Sequence, residues 1–280
     1  MQLSSESVVV ITGASKGIGR VTALRLAQYK CNFILVARSE NLLQQLTQEL
    51  AHIGAKAIYI VGDLSKKSTA TKIVHSIHQQ FKRIDVLINN AGYGYYAPIE
   101  QINDKNLENI FRCNLLAPLW LMQKLAPLFK QQGYGHIVNV SSVIGIRSIP
   151  GSSAYCMSKF ALNALDESAY LELKPYGVNF SLICPGLTKT EFQENSNNPH
   201  LNPGLSNKLG ASAESVAKAI DHAIASNKRR VYLTFWGKLL VYLQRLSPSL
   251  LDWIMLYHYK KRSQEKNAPQ AFMHNTRKSS

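Results

Sequence analysis

Long apolar runs are missing from this chain. No stretch of about 18 residues is free of charge, so no segment reads as a simple membrane-spanning helix. Cysteine is scarce and scattered. Cys31, Cys113, Cys156 and Cys184 show neither a paired motif nor metal-ligand spacing, which excludes a disulfide framework and predicts free thiols in a reducing compartment. His75 and His78 stand three apart on a predicted helix, but beside Lys72 and Gln79 they read as a solvated face, and no metal is implied. Acidic residues are few, 17 against 32 Lys and Arg, giving a net charge of +15. Such an excess suits an anionic surface, yet no nucleic-acid recognition motif accompanies it and no nucleic-acid partner is expected. A leader is lacking as well: Met1 to Ser7 is polar and the first core strand begins at Val8, which predicts a cytoplasmic protein.

What the chain does have is a regular alternation of apolar runs and helical patterns, with no Pro/Ser/Gly-rich linker before about residue 230. Strands are predicted near 8–12, 32–37, 57–62, 84–89, 136–140, 178–184 and 230–234, with helices between them. Continuous apolar runs mark strands of a parallel sheet covered on both faces. The expected fold is α/β: one main domain, residues 1–234, holding a doubly wound parallel sheet in three αβα layers, with its ligand at the carboxyl ends of the strands.

The run Val8-Val9-Val10-Ile11 leads straight into Thr12-Gly13-Ala14-Ser15-Lys16-Gly17-Ile18-Gly19. Strand, glycine turn and helix is the order that lets a backbone approach a pyrophosphate and set it at a positive helix N-terminus. The spacing is Gly-x3-Gly-x-Gly, and no Gly-Lys-Ser/Thr triplet follows, which disfavours a nucleoside-triphosphate loop. Farther along, Tyr155 and Lys159 stand four apart, on one face if the stretch is helical. Alone they fit an ordinary amphipathic face. As a pair, an ammonium beside a phenol lowers the phenol pKa toward neutrality and makes an acid/base device.

Together with Asn89-Asn90-Ala91-Gly92, and with Ser142 thirteen residues before Tyr155, these segments stand in the order and spacing of the short-chain dehydrogenase/reductase family. Asn114 and Pro185-Gly186 also fall at its positions, and residues from about 7 to 233 resemble its compact, single-domain members. The resemblance implies a Rossmann-like fold, an NADP(H) cofactor and a set of four catalytic residues. Tyr155 would be the general acid/base, with Ser142 steadying the developing oxyanion. Lys159 would hold the nicotinamide ribose and tune Tyr155, while Asn114 orders a water between Lys159 and solvent. Ser141 is a rival to Ser142 that points to the opposite side of an extended chain, and the spacing to Tyr155 selects Ser142. Gly13, Ser15, Lys16, Gly17, Ile18 and Gly19 would cradle the cofactor, Asp63 would contact the adenine amino group, and Asn90 and Thr188 would line the site. The turn from Asn89 to Gly92 has a structural role open to it too, in stabilising the sheet.

Cofactor choice turns on another absence. The second strand ends Leu35-Val36-Ala37-Arg38, without the acid that would accept hydrogen bonds from ribose hydroxyls; Arg38, helped by Lys16, suits a 2′-phosphate and so NADP(H). Tyr93, Tyr95 and Tyr96, the stretch from Ile144 to Pro150, and a lid from Leu187 to Gly210 give an aromatic and aliphatic mouth. This predicts a small hydrophobic carbonyl or alcohol substrate, lipid-, steroid- or retinoid-like. The alternatives are oxoacyl-thioester reduction and a nonenzymatic NADPH-sensing protein of the same fold, the latter disfavoured by the intact catalytic set. A homodimer or homotetramer is expected.

Beyond about residue 233 the family pattern ends. Phe235 to Tyr259 is apolar and aromatic but interrupted by Lys238, Arg245 and Asp252, and Ser247-Pro248 reads as the N-cap and first-turn proline dividing two amphipathic helices. A basic tail follows, with six Lys or Arg against one Glu from 260 to 280. Residues 235–280 are expected to form a helical extension. It would make peripheral membrane contact through residues 235–262, or else pack on the domain or a second subunit.

Overall fold

The computed structural model describes residues 1–189 and 210–267, so most of the expected lid lies outside the described residues. In chain order the main elements are β1 (Val8–Thr12), α1 (Gly17–Leu26), β2 (Asn32–Ala37), α2 (Glu40–His52), β3 (Lys56–Val61), α3 (Lys67–Gln80) and β4 (Val86–Asn89). There follow α4 (Asp104–Phe111), α5 (Ala117–Gln132), β5 (Gly135–Val140), α6 (Ser153–Leu173), β6 (Val178–Cys184), β7 (Thr188–Lys189) and β8 (Ala211–Ser212). The chain continues through α7 (Ala213–Ser226), β9 (Arg230–Tyr232), α8 (Phe235–Leu246) and α9 (Pro248–Asn267).

Every residue of β1 is buried, and the alternation of side chains explains why: Val9 and Ile11 enter one hydrophobic layer, Val8 and Val10 the other. The first layer is filled by Leu26 of α1, Leu43, Leu46 and Leu50 of α2, and Val216 and Ile220 of α7. The second takes Ile73 and Ile77 of α3, Leu121, Leu125 and Phe129 of α5, and Leu173 of α6. The result is a three-layer, Rossmann-like sheet with strand order β3-β2-β1-β4-β5-β6-β9, all neighbours parallel. The order reverses between β1 and β4, which opens a crevice beyond their carboxyl ends. All seven predicted strands are present, while the two-residue pair β7–β8 was not foreseen.

The chain divides into two compact units, Met1–Val241 and Tyr242–Ser280. The first turn of α8 therefore belongs with the sheet, and the boundary lies seven residues beyond the 234/235 position read from the sequence. Gly237 is the reason. Its N–H donates to Thr234 Oγ1 at 3.0 Å, and a Cβ there would lie 3.0 Å from Val143 Cγ1. In the second unit, Ser247 N–H closes α8 on Leu243 O at 2.8 Å and its carbonyl accepts Leu251 N–H at 3.4 Å to open α9, so Ser247-Pro248 divides two helices along this segment, as expected. Tyr242, Leu246, Leu250, Trp253 and Tyr257 recur every three or four residues along it, all exposed. Among the described residues no helix is long and apolar enough to cross a membrane.

Candidate active site

Beyond β1 the chain turns through Gly13 at φ +66° and Gly17 at φ +53°, left-handed conformations that favour glycine. Gly19 is required for a different reason. A Cβ on it would overlap the Gly13 carbonyl oxygen and lie 2.6 Å from Asn90 Nδ2. The turn is braced from β4: Asn90 Nδ2 donates to the carbonyls of Thr12 at 2.9 Å and Gly13 at 3.2 Å, and Thr12 Oγ1 accepts from Asn90 N–H at 3.0 Å and Ala91 N–H at 3.1 Å. The side chain of Asn90 thus supports the turn. Helix α1 opens from an extended Lys16 with no acidic residue in its first turn, leaving its positive end suited to an anion. Ser15 and Ile18 are half-buried in the same turn, and Ile18 packs on the core.

Exposed Arg38 follows β2 directly. Burial pushes the Asp63 carboxyl up, but hydrogen bonds from Ser65 and the nearby charges of Arg38 and Lys66 outweigh it and hold the group below its ordinary value. Arg38 and Asp63 therefore lie near each other beyond β2 and β3. Backbone turns, a helix N-terminus and a cation with no acid after β2 fit a phosphorylated dinucleotide. Thr188, in β7, is half-buried.

Farther along the chain stand Ser142, after β5, and Tyr155 and Lys159 on α6, all buried. Tyr155 is hydrogen-bonded to Ser142. Burial pushes the phenol well above its ordinary value, with a further upward push from Tyr96 and Cys156, while the Ser142 hydrogen bond opposes them. This corrects the sequence expectation that Lys159 draws the phenol toward neutrality. Lys159 Nζ lies 5.9 Å from the Tyr155 ring centroid and donates to Val140 O at 2.9 Å; burial lowers its own pKa to about 8. A sequence shows the spacing of a phenol and an ammonium but not how dry their surroundings are.

Asn114 sits in a π-helical turn, Arg112–Leu116, between α4 and α5. Its Oδ1 accepts from Tyr93 N–H at 3.1 Å, and its Nδ2 donates to Tyr93 O and Ser158 Oγ, both at 3.1 Å. Both amide hydrogens are thus committed, so the side chain acts as a brace between Gly92-Tyr93 and α6; the expected water-ordering role does not fall to these hydrogens. Single π turns inside helices recur at functional sites. Ser141 resolves its rivalry with Ser142 by pointing the other way, to Asn163 Oδ1 at 2.6 Å. The sequence reading missed Thr12, Ser158 and Asn163; the last had a signal, since it stands four residues beyond Lys159.

Asn89 has the structural role. Its Nδ2 donates to Asn139 Oδ1 at 2.8 Å, Asn139 Nδ2 donates to Asp166 Oδ1 at 2.8 Å, and Arg229 pairs with the Asp166 carboxylate at 2.5 Å. All four cysteines are free, and no cluster of His, Cys, Asp and Glu among the described residues could hold a metal.

Residues 7–200 match the family model described as short chain dehydrogenase. Estradiol 17-beta-dehydrogenase 11 of Mus musculus is 30% identical over 244 residues, covering 86% of this chain and 80% of its own. A short-chain dehydrogenase/reductase from Burkholderia phymatum, solved in complex with NAD, superposes with a TM-score of 0.81 at 25% identity over 90% of this chain and 97% of its own. A metagenomic short-chain oxidoreductase, solved in complex with NADP, gives 0.70 at 28% identity over 82% and 97%.

Proposed function

The chain belongs to the short-chain dehydrogenase family, and on that premise we propose that it is an NADP(H)-dependent oxidoreductase interconverting a carbonyl and a secondary alcohol on a hydrophobic substrate. The observation that carries this reading is the meeting of Ser142, Tyr155 and Lys159 at the end of β5, with the phenol hydrogen-bonded to the serine and the lysine tied to Val140.

When bound, the nicotinamide supplies or accepts the hydride. The Gly13–Gly19 backbone and the N-terminus of α1 would take the pyrophosphate, Arg38 and Lys16 the 2′-phosphate, Asp63 the adenine amino group and Lys159 the ribose. Solved relatives carry either NAD or NADP, so the preference rests on Arg38 standing where an acid would exclude the phosphate. Burial keeps Tyr155 protonated, the state needed to donate a proton to a substrate oxygen, and the Ser142 hydroxyl is placed to steady that oxygen. Burial lowers the Lys159 pKa to about 8, so its ammonium is still mainly charged near neutrality and can donate to the ribose hydroxyls. Tyr95 and Tyr96, both buried, support an apolar substrate, as does the steroid named for the mouse relative.

The test is NADPH oxidation followed by absorbance across steroid, retinoid and long-chain carbonyls, with Tyr155→Phe as control. A protein that binds NADPH yet turns over none of them would overturn the reading. We also propose that the exposed stripe on Tyr242–Asn267, ending at exposed Lys260 and the basic tail, rests on an anionic lipid surface.

A further inference from the structure

Tyr155, Lys159 and Asn163 stand four apart on α6 and share one face. The first two belong to the mechanism above; the third has no part in it. Asn163 is buried and holds two partners: its Oδ1 accepts the Ser141 hydroxyl at 2.6 Å, and its Nδ2 donates to the Gly145 carbonyl at 2.8 Å. A carbonyl can only accept, which fixes the amide's orientation. The two bonds grip the chain on both sides of Ser142, one residue before it and three after. The loop is pressed hard against the helix here, since a Cβ on Gly145 would lie 2.9 Å from both Asn163 Nδ2 and Lys159 O.

The Ser142 hydroxyl is held only lightly by the backbone around it. It donates to Pro185 O at 3.4 Å and accepts from Ile144 N–H at 3.3 Å, both long for hydrogen bonds. The loop's backbone is tied to the end of β6, Ser141 N–H donating to Ile183 O at 2.7 Å and Val143 N–H to Pro185 O at 3.1 Å, while Asn163 ties both flanks of Ser142 to α6. We propose, resting on the roles given above to Ser142 and Tyr155, that Asn163 is a positioning residue. It sets the Ser142 hydroxyl against the Tyr155 phenol by hanging the serine loop from the same helix that carries the phenol, two turns along. Ser141 is the handle by which it does so. Cofactor contacts lie elsewhere, so the loss should fall on the chemical step.

The experiment compares Asn163→Ala, Ser141→Ala, Ser142→Ala and the double variants, each measured for kcat, KM, NADPH Kd and Tm. Asn163→Ala should lower kcat by about tenfold or more, because misplacing a reacting group by a fraction of an ångström suffices, while the NADPH Kd stays within about twofold. Ser141→Ala, which keeps the Gly145 bond, should lower kcat less. Adding either change to Ser142→Ala should cost nothing further, since positioning acts only through that hydroxyl. A kcat for Asn163→Ala within about twofold of the parent overturns the proposal, as does an undiminished effect on the Ser142→Ala background. Should Asn163→Ala fail to fold, Ser141→Ala on both backgrounds decides by the same criterion. If Ser142→Ala itself turns over normally, the role given to Ser142 falls first and the positioning role with it, an outcome recognisably different from the other two.

Discussion

Lys159 Nζ donates to the carbonyl of Val140 at 2.9 Å, which ties the buried cation of α6 to the last residue of β5. The bond anchors the helix face that carries Tyr155, so the two side chains should fail differently when removed. Tyr155→Phe keeps the ring and deletes only the proton donor. It should lose about a hundredfold or more in turnover with NADPH affinity nearly unchanged. Lys159→Ala should lose turnover and NADPH affinity together. Steady-state kinetics and fluorescence titration of NADPH check both, and near-parental turnover in Tyr155→Phe would remove the proton-transfer assignment.

Arg38→Asp should weaken NADPH by on the order of 2 kcal/mol or more, because a charge-assisted contact becomes a repulsion, and should change NADH far less. Dissociation constants for both cofactors with parent and variant measure this. A parent protein that prefers NADH would contradict the assignment.

His136, buried on β5, has its Nε2 2.8 Å from Ser181 Oγ on β6. Burial disfavours its charged form and lowers its pKa from 6.5 to about 3. As pH falls through 6.5 the unfolded chain takes up a proton that the folded chain refuses, so stability present above 6.5 is lost progressively toward pH 3, by up to about 1.4 kcal/mol per pH unit. Urea unfolding of the parent and His136→Gln at pH 7 and pH 5 should show the parent losing more stability between the two. Equal losses would take His136 out of the account.

Deleting residues 242–280 should release the protein from anionic liposomes while preserving NADPH binding, because the sheet-bearing unit ends at Val241. High salt should weaken liposome binding only in part, since apolar burial persists when charge is screened. Co-sedimentation with and without anionic lipid is the measurement; a full-length protein that never pellets with liposomes argues instead for a protein partner on the stripe.

Most of the sheet was legible in the sequence because strands buried on both faces are written as near-continuous apolar runs, as in residues 8–11 of β1 and 33–37 of β2. The pair Thr188–Lys189 and Ala211–Ser212 was not, since two residues carry no period. The glycine turn and the Tyr155–Lys159 pair were legible from spacing alone. What spacing could not convey was commitment. Asn114 and Asn90 look like ligands in the sequence, yet their amides hold backbone, and the dryness around Tyr155 exists only once α6 has packed. The contact of Gly237 with Val143, inside the first unit, likewise shows only in three dimensions.

That contact has a consequence for how the site comes into being during synthesis. The dinucleotide turn and its brace are complete within the first ninety-one residues, from β1 to Ala91. The serine loop is made some fifty residues later, but Val143 gains its neighbour Gly237, and Gly186 its neighbour Thr234, only near the end of the first unit. A nascent chain halted before residue 234 would therefore carry a finished cofactor cradle beside a serine loop with one wall still missing.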